Sequence, residues 1–318
     1  MLAAVVKRFG GPESIEILHT ARPSLQRHQV LVRNKVAGVN PVDTYIRSGQ
    51  YSVLPELPYI IGKDGSGIVE EVGDAVKHVK VGDYVWYGYE SNATAQFTAV
   101  SNCFLLPEGV ELAEGACLGV PYLTAYRAMF IQGCVKPSDV ILVHGASGGV
   151  GSAIVQLAAW KGIRTVGTAG SIVGLDYLRN LGLHQVYDHS KPGYIEEISA
   201  EFPNGFDYIF EMAAHINLNN DMGLLAKHGK LAVIGNRAET KINARQLMQK
   251  ESIVYGVMLG MSNCEDILTS GSEINKFLTE TKFRPNISKT YTMNTIAQAH
   301  CDILNNSGSH GQIVINIE

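Results

Sequence analysis

The chain has 318 residues, enough for two domains with substantial cores. Hydrophobic residues make up 46% and charged residues 18%, and the net charge of −4 with a pI near 6.2 supplies no general attraction to nucleic acid or an anionic membrane. No apolar run reaches the ~18 residues of a membrane span, the N-terminal residues 1–8 carry their charge after a short apolar run rather than before it, and the last residues are neither a prenylation nor a peroxisomal signal. The five cysteines are dispersed with no C-x-x-C pair, which reads as reduced thiols in a cytoplasmic protein without structural zinc.

In chain order, the first part is β-rich. Residues 30–36 alternate as a strand and turn at Gly38, residues 67–73 form a short strand between glycines, and residues 81–86 enter another strand through a turn. Short strands closely spaced by Gly and Pro predict a distorted all-β barrel. Near residue 120 the pattern changes to alternating strands and helices. Strands are expected at 140–143, 165–168, 185–187, 206–210 and 230–234. The first two are followed by helices ending near Lys161 and Asn180, and a helical stretch separates the last two. This is the signature of a parallel sheet covered on both faces. After residue 262 the pattern is mixed, with a helix near 273–281 and a strand at 312–316 suited to completing the first domain.

The stretch HGASGGVG, residues 144–151, joins the strand at 140–143 to a helix. Ala146, Gly148 and Gly151 have dinucleotide-binding spacing with alanine in the first place. Gly148 lets the backbone approach a pyrophosphate, and Gly151 lets helix and strand pack closely. Val150, Ile154, Leu157 and Ala158 share one helix face, and Gly162 suits a C-terminal cap. An NAD site usually has a carboxylate about 20 residues past the turn. Here the second strand ends Gly167-Thr168-Ala169-Gly170-Ser171, and Asp176 comes too late. Room for a 2′-phosphate favours NADPH, with Ser171 as a hydrogen-bond donor and His189 after the third strand as the nearby cation.

With these residues in view, the chain resembles the zeta-crystallin-like, zinc-free quinone oxidoreductase branch of the medium-chain dehydrogenase/reductases. The matching stretches are FGGPE (9–13), GVNPVDTYIRSG (38–49), PYLTAYRA (121–128), HGASGGVG, GTAG (167–170) and KES (250–252). The resemblance implies an α/β architecture: a GroES-like catalytic domain at 1–120, a Rossmann NADPH-binding domain at 121–262, and a return to the catalytic domain at 263–318. It also implies a cleft between domains and a homodimer or homotetramer. It assigns Asn40, Tyr45 and Tyr51 to catalysis, Asn40 and Tyr45 lying near the nicotinamide ribose as well. Thr124 would meet the nicotinamide end, and Ser147, Gly148, Gly149 and Val150 the pyrophosphate. Gly170, Ser171 and His189 would meet the adenosine phosphate end. Asn217, Ile234, Gly235, Asn236, Arg237, Val257, Met258 and Leu259 would follow the cofactor along the strand ends. Where zinc alcohol dehydrogenases carry a cysteine and a histidine ligand, this chain has the Asn40–Asp43 loop and Lys63, so no metal is expected.

The expected reaction is reduction of a quinone, ortho-quinones among them, with hydride supplied by NADPH. A Tyr hydroxyl would donate to the developing oxyanion. One departure bears on the substrate: the segment Tyr87-Gly88-Tyr89-Glu90-Ser91-Asn92 is aromatic and acidic where the family loop is Ser/Gly-rich. A rival on the same fold is an enone, 2-alkenal or enoyl-thioester reductase, for which no basic cluster stands near residues 45–63. A rival of another class is a crystallin-like structural or RNA-binding role, which the net charge does not favour.

Overall fold

The computed structural model describes residues 1–304 and 310–317 and divides into two units. One unit comprises Thr124–Asp266 with His310; the other comprises Met1–Leu123 with residues 267–304 and 311–317.

In the Thr124–Asp266 unit, apolar runs bounded by turns become a six-stranded parallel sheet. Its order is Val186–Asp188, Arg164–Ala169, Val140–Val143, Phe206–Glu211, Leu225–Val233, Ile253–Gly256. In chain order this is 3-2-1-4-5-6, the doubly wound arrangement with its switch point between the first and fourth strands. Val140–Val143 pairs with Arg164–Ala169 on one side and with Phe206–Glu211 on the other, both in parallel. The core beneath is built from Leu142, Val166, Ile209, Phe206, Met222 and Leu231, all fully buried. The helix Gly149–Trp160 follows the glycine turn, and Gly162 takes a left-handed φ of 70° just beyond it. A single apolar face was expected for this helix. Instead everything from Gly151 to Ala158 is buried, Ser152 and Gln156 included, because it packs in the interior rather than along a surface.

The other unit contains a seven-stranded sheet in the order Ile287–Thr292, Gln312–Asn316, Val30–Val39, Asp64–Val72, Tyr84–Tyr87, Phe104–Leu105, with Phe97–Val100 also paired to Val30–Val39. A three-stranded sheet joins Ile15–His19, Leu2–Val6 and Tyr59–Ile60. The strand at 30 does not turn at Gly38 but runs on to Val39. Gly38 is needed there for close approach: a Cβ on it would collide with the Ala116 carbonyl oxygen. The strand expected at 67–73 begins at Asp64, and the helix expected near 273–281 spans Cys264–Glu280. That helix is tied to the sheet by Asn275, which accepts from Trp86 Nε1 at 2.8 Å and donates to the Leu105 carbonyl at 2.9 Å. Gln312–Asn316 pairs antiparallel with Val36–Val39, so the end of the chain is part of the first sheet. Among the described residues, no helix is long and apolar enough to cross a membrane.

Candidate active site

In the doubly wound unit, the residues expected to meet a dinucleotide lie at or near strand ends around the switch point. The turn leaves Val140–Val143 through buried His144 and Gly145, whose φ is 59°. Thr168, at the end of the neighbouring strand, anchors it: Gly145 N–H donates to Thr168 Oγ1 at 3.2 Å and Ala146 N–H to its carbonyl at 2.8 Å. Gly148 is extended (φ −76°, ψ −179°), no side chain caps the helix that follows, and its first turn carries no acidic residue. The positive end of the helix is therefore open to an anion.

The two glycines of the turn differ in what requires them. A Cβ on Gly151 would collide with the Gly145 carbonyl and come within 2.7 Å of Ala146 Cα, so the fold itself excludes one. A Cβ on Gly148 would meet only the Gly145 oxygen at 3.3 Å, in a backbone conformation open to any residue. The space over Gly148 is not claimed by the protein. That is the fit expected of a cradle for a dinucleotide pyrophosphate, with Gly149 and Val150 beside it in the first helical turn.

Ser147 is buried, its Oγ lying against Gly174: a Cβ there would sit 2.9 Å away. Ser171 caps the helix Ile172–Asn180, its Oγ accepting from Gly174 N–H at 3.1 Å. His189 lies with Nε2 over Gly170, 2.6 Å from where a Cβ would be. Its Nδ1 is 3.1 Å from Thr168 Oγ1. Partial burial and the nearby His144 hold its pKa below the ordinary histidine value, against the pull of Asp188. The cation expected here is thus a neutral imidazole in the ligand-free protein. Thr124 is buried on the helix Gly119–Tyr126. Ile234, Gly235, Asn236 and Arg237 leave the end of Leu225–Val233, and a Cβ on Gly235 would collide with the Met212 carbonyl oxygen. Val257 and Leu259 are buried after the last strand, with Met258 exposed between them.

Asn217 faces inward. Its Nδ2 donates to Glu211 Oε2 at 3.1 Å, and its Oδ1 accepts from Tyr194 OH at 3.1 Å. It belongs to a cluster that sequence reasoning did not single out: His144, Glu211 and Asp221, all buried, with His144 Nε2 2.9 Å from Asp221 Oδ1. Burial pushes both carboxyls up to about 7, and it pulls His144 down. The available signal was a glutamate closing the apolar strand FDYIFE and an aspartate inside the helix Ala214–Leu224.

In the other unit, Asn40 ends the long strand and begins the helix Pro41–Ser48. Asp43 Oδ2 accepts from Asn40 N–H at 2.9 Å. Asn40 is itself buried, and its Nδ2 donates to Asp64 Oδ2 at 2.7 Å. Asp64 also accepts from Val120 N–H at 2.7 Å and Tyr89 N–H at 3.2 Å. Burial pushes Asp43 and Asp64 up to about 7 each. Tyr45 is half-buried on the same helix. Tyr51 and Tyr89 are hydrogen-bonded through their hydroxyls. Together with Asp43, Tyr59 and Lys63 they line a cavity of about 270 Å³. Lys63 Nζ donates to Ser91 Oγ at 3.3 Å and lies 5.1 Å from the Tyr89 ring centroid.

The aromatic segment at 87–92 is thus divided. Tyr87 is a core residue, fully buried and donating to Asn34 Oδ1 at 2.8 Å, so it does not face a ligand. Glu90 is committed to the backbone N–H groups of Ser101 and Asn102, at 3.1 and 2.9 Å. Tyr89, Ser91 and Asn92 line the cavity.

Residues 26–136 match the alcohol dehydrogenase GroES-like domain family, and residues 149–271 match the zinc-binding dehydrogenase family. The quinone oxidoreductase of Rattus norvegicus is 40% identical over 99% of this chain and 97% of its own length. That of Homo sapiens is 39% identical with the same coverage. The chain belongs to the quinone oxidoreductase family of the medium-chain dehydrogenase/reductases. The Escherichia coli quinone oxidoreductase, whose structure holds NADPH, superposes with a TM-score of 0.90 at 25% identity, each chain covered in full.

Within this family the zinc implied by the domain description does not fit the residues present. Asn40 donates through its amide, and Lys63 presents an ammonium, so neither offers the soft or imidazole donor zinc needs. Among the described residues, His144, Glu211 and Asp221 are the one set of three or more His, Cys, Asp or Glu side chains close enough to share an ion.

Proposed function

We propose that this chain reduces quinones with NADPH as the hydride source. The open, uncapped helix end beneath Gly148 carries the reading: the protein leaves that glycine unfilled although its own backbone does not require it. The identity to named quinone oxidoreductases over almost the whole chain supports the same activity. The absence of a carboxylate at Ala169-Gly170-Ser171, with His189 beside it, supports NADPH over NADH.

NADPH supplies the hydride when bound. Ser147 to Val150 would hold its pyrophosphate, Gly170, Ser171 and His189 its 2′-phosphate end, and Ile234 to Arg237 with Val257 to Leu259 would line its path along the strand ends. Asn40 and Asp64 fix the start of the helix Pro41–Ser48 and so hold Tyr45 in place. The Tyr51–Tyr89 pair presents polar edges on a wall that mixes apolar residues (Ile46, Val53, Leu54, Ile60, Ile61) with Asp43, Lys63, Ser91 and Asn92, suited to a flat ring with two carbonyl oxygens. A Tyr hydroxyl would donate to a quinone oxygen that gains negative charge on reduction. The edge position of Ile253–Gly256 in its sheet supports pairing with a second copy, in a homodimer or homotetramer.

The test is steady-state NADPH oxidation, with NADH in parallel, against an ortho-quinone, a para-quinone and an enone. NADPH-selective turnover of a quinone is expected. Turnover of the enone alone would replace the quinone reading with the enone one. Light scattering on the eluting protein reads the assembly.

A further inference from the structure

Lys63 stands at the cavity wall with its charge unmatched. Its Nζ donates to Ser91 Oγ at 3.3 Å and lies 5.1 Å from the Tyr89 ring centroid. Among the described residues these are its side-chain contacts, and no ion pair is among them. A hydroxyl and a ring face attract an ammonium but bring no countercharge.

The carboxyl groups around it are engaged elsewhere. Glu90 Oε1 accepts from the backbone N–H groups of Ser101 and Asn102. Asp64 Oδ1 accepts from Tyr89 N–H, and its Oδ2 from Asn40 Nδ2 and Val120 N–H. Asp43, which lines the same cavity, is 2% exposed and turns Oδ2 to Asn40 N–H. Its buried Oδ1 has no hydrogen-bond partner, Lys63 included. Burial raises the pKa of all three, which favours their neutral forms.

The backbone also holds the ammonium's surroundings in one shape. Glu90 N–H donates to the Lys63 carbonyl at 3.1 Å, and Ala93 N–H to the Gly62 carbonyl at 3.2 Å. The segment bearing Tyr89, Ser91 and Asn92 is thereby tied to Lys63. Within it Tyr89 and Asn92 have left-handed φ values of 59° and 71°, a cost that persists only where the surroundings impose it.

We propose that Lys63 is an anion subsite of this cavity and that the quinone this chain reduces carries a carboxylate arm. This rests on the quinone reading given above. Neutral quinone oxygens need only hydroxyl and amide donors, which Tyr51, Tyr89, Ser91 and Asn92 already supply along the wall. An ammonium gains most from an opposite charge, and more so as the ligand displaces water. Among the described residues, Lys63 is the one cation lining the cavity, which suits the single charge of a carboxylate rather than the double charge of a phosphate. Ser91 Oγ accepts from Nζ and keeps its own proton for the second carboxylate oxygen. The arm takes no part in the redox step: the quinone ring gains a hydride from NADPH and a proton from solvent, NADP⁺ is left, and the carboxylate is unchanged.

The experiment compares a naphthoquinone bearing a propanoate arm with the matching propanamide, whose methylenes insulate the ring from the difference. Both are assayed with NADPH on the unmodified protein, Lys63→Met and Lys63→Arg, at low and high salt, and both are titrated calorimetrically into the NADP⁺-bound proteins. For the unmodified protein, kcat/KM for the acid should exceed that for the amide roughly tenfold at low salt, as a charge-assisted hydrogen bond provides, and the margin should shrink at high salt. Lys63→Met should bring the ratio to about one, and Lys63→Arg should keep most of it. General damage to the protein cancels in that ratio, because both quinones share one ring, one protein and one cofactor. The dissociation constants should show the same margin without turnover. If the unmodified protein reduces the amide as well as the acid, the quinone reading stands and the subsite fails. A Lys63→Met protein that keeps the ratio also overturns the subsite, because the carboxylate then sits elsewhere. If neither compound is reduced while the acid alone binds in a Lys63-dependent way, the quinone reading fails and the anion subsite holds.

Discussion

Gly148→Ala and Gly151→Ala should separate cofactor binding from folding within one turn. At Gly151 the added methyl collides with the Gly145 carbonyl and lies 2.7 Å from Ala146 Cα, both backbone atoms that cannot swing away. Overpacking of this kind costs about 1–3 kcal/mol, and each kcal/mol lowers Tm by about 2–4 °C in a domain of 150–250 residues. At Gly148 the nearest atom is the Gly145 carbonyl oxygen, 3.3 Å away, a contact relieved by a shift of a few tenths of an ångström, and φ is −76°, open to alanine. Replacing glycine restricts the unfolded chain, worth about 0.4–1 kcal/mol, while alanine caps a helix less well than glycine does. The two terms nearly cancel, so stability should change by less than about 1 kcal/mol. NADPH affinity should nevertheless fall at least tenfold, about 1.4 kcal/mol, because the methyl stands where the pyrophosphate approaches. Thermal melts without cofactor and titrations followed by nicotinamide fluorescence read the two quantities separately. If Gly148→Ala binds NADPH as before, or melts as low as Gly151→Ala, the division of labour between the two glycines is wrong.

Tyr51→Phe removes the hydroxyl paired with Tyr89 at the cavity wall and should raise the quinone KM several-fold, the equivalent of one hydrogen bond of about 1 kcal/mol, with Tm unchanged; an unaltered KM for every quinone tried removes that cavity from substrate binding. Asp64 is raised from 3.8 to about 7 by burial, so the folded state holds an extra proton between those values. Its contribution to stability is greatest below about pH 4, falls as pH rises to 7 and is level above. The stability gap between the unmodified protein and Asp64→Asn should therefore narrow from pH 4 to 7 in denaturant titrations, and a widening gap contradicts the raised pKa. Phe206→Ala empties a fully buried site beside Phe202 (ring centroids 4.8 Å apart) and should cost about 3–5 kcal/mol; a loss under 1 kcal/mol in urea unfolding would mean that the site collapses onto the void.

The doubly wound half was legible because period and punctuation agree there: apolar strands, a glycine turn, a helix, then a repeat. The turn itself was legible too, since small residues at fixed spacing between a strand and a helix have few physical uses, and the structure forms it there. Element ends were less so. Gly38 looks like a turn in sequence but sits inside a strand, because only a distant backbone oxygen, that of Ala116, decides why glycine is there. Tyr87 looks like part of an aromatic mouth, yet its partner Asn34 lies 53 residues away and draws it into the core.

The buried polar groups needed the fold most. His144, Thr168, Glu211 and Asp221 come from three strand ends and a helix that share no sequence pattern. Asn40 and Asp64 meet only because two antiparallel strands place Gly38 opposite Asp64. By itself the sequence determined the order of elements, the glycine turn between the first strand and helix of the doubly wound unit and the missing acid after the second strand, all local matters of residue size and spacing. Tertiary structure decided which carboxyls are buried and which side chains share one cavity, because burial and long-range hydrogen bonding depend on which strand ends the sheet brings together.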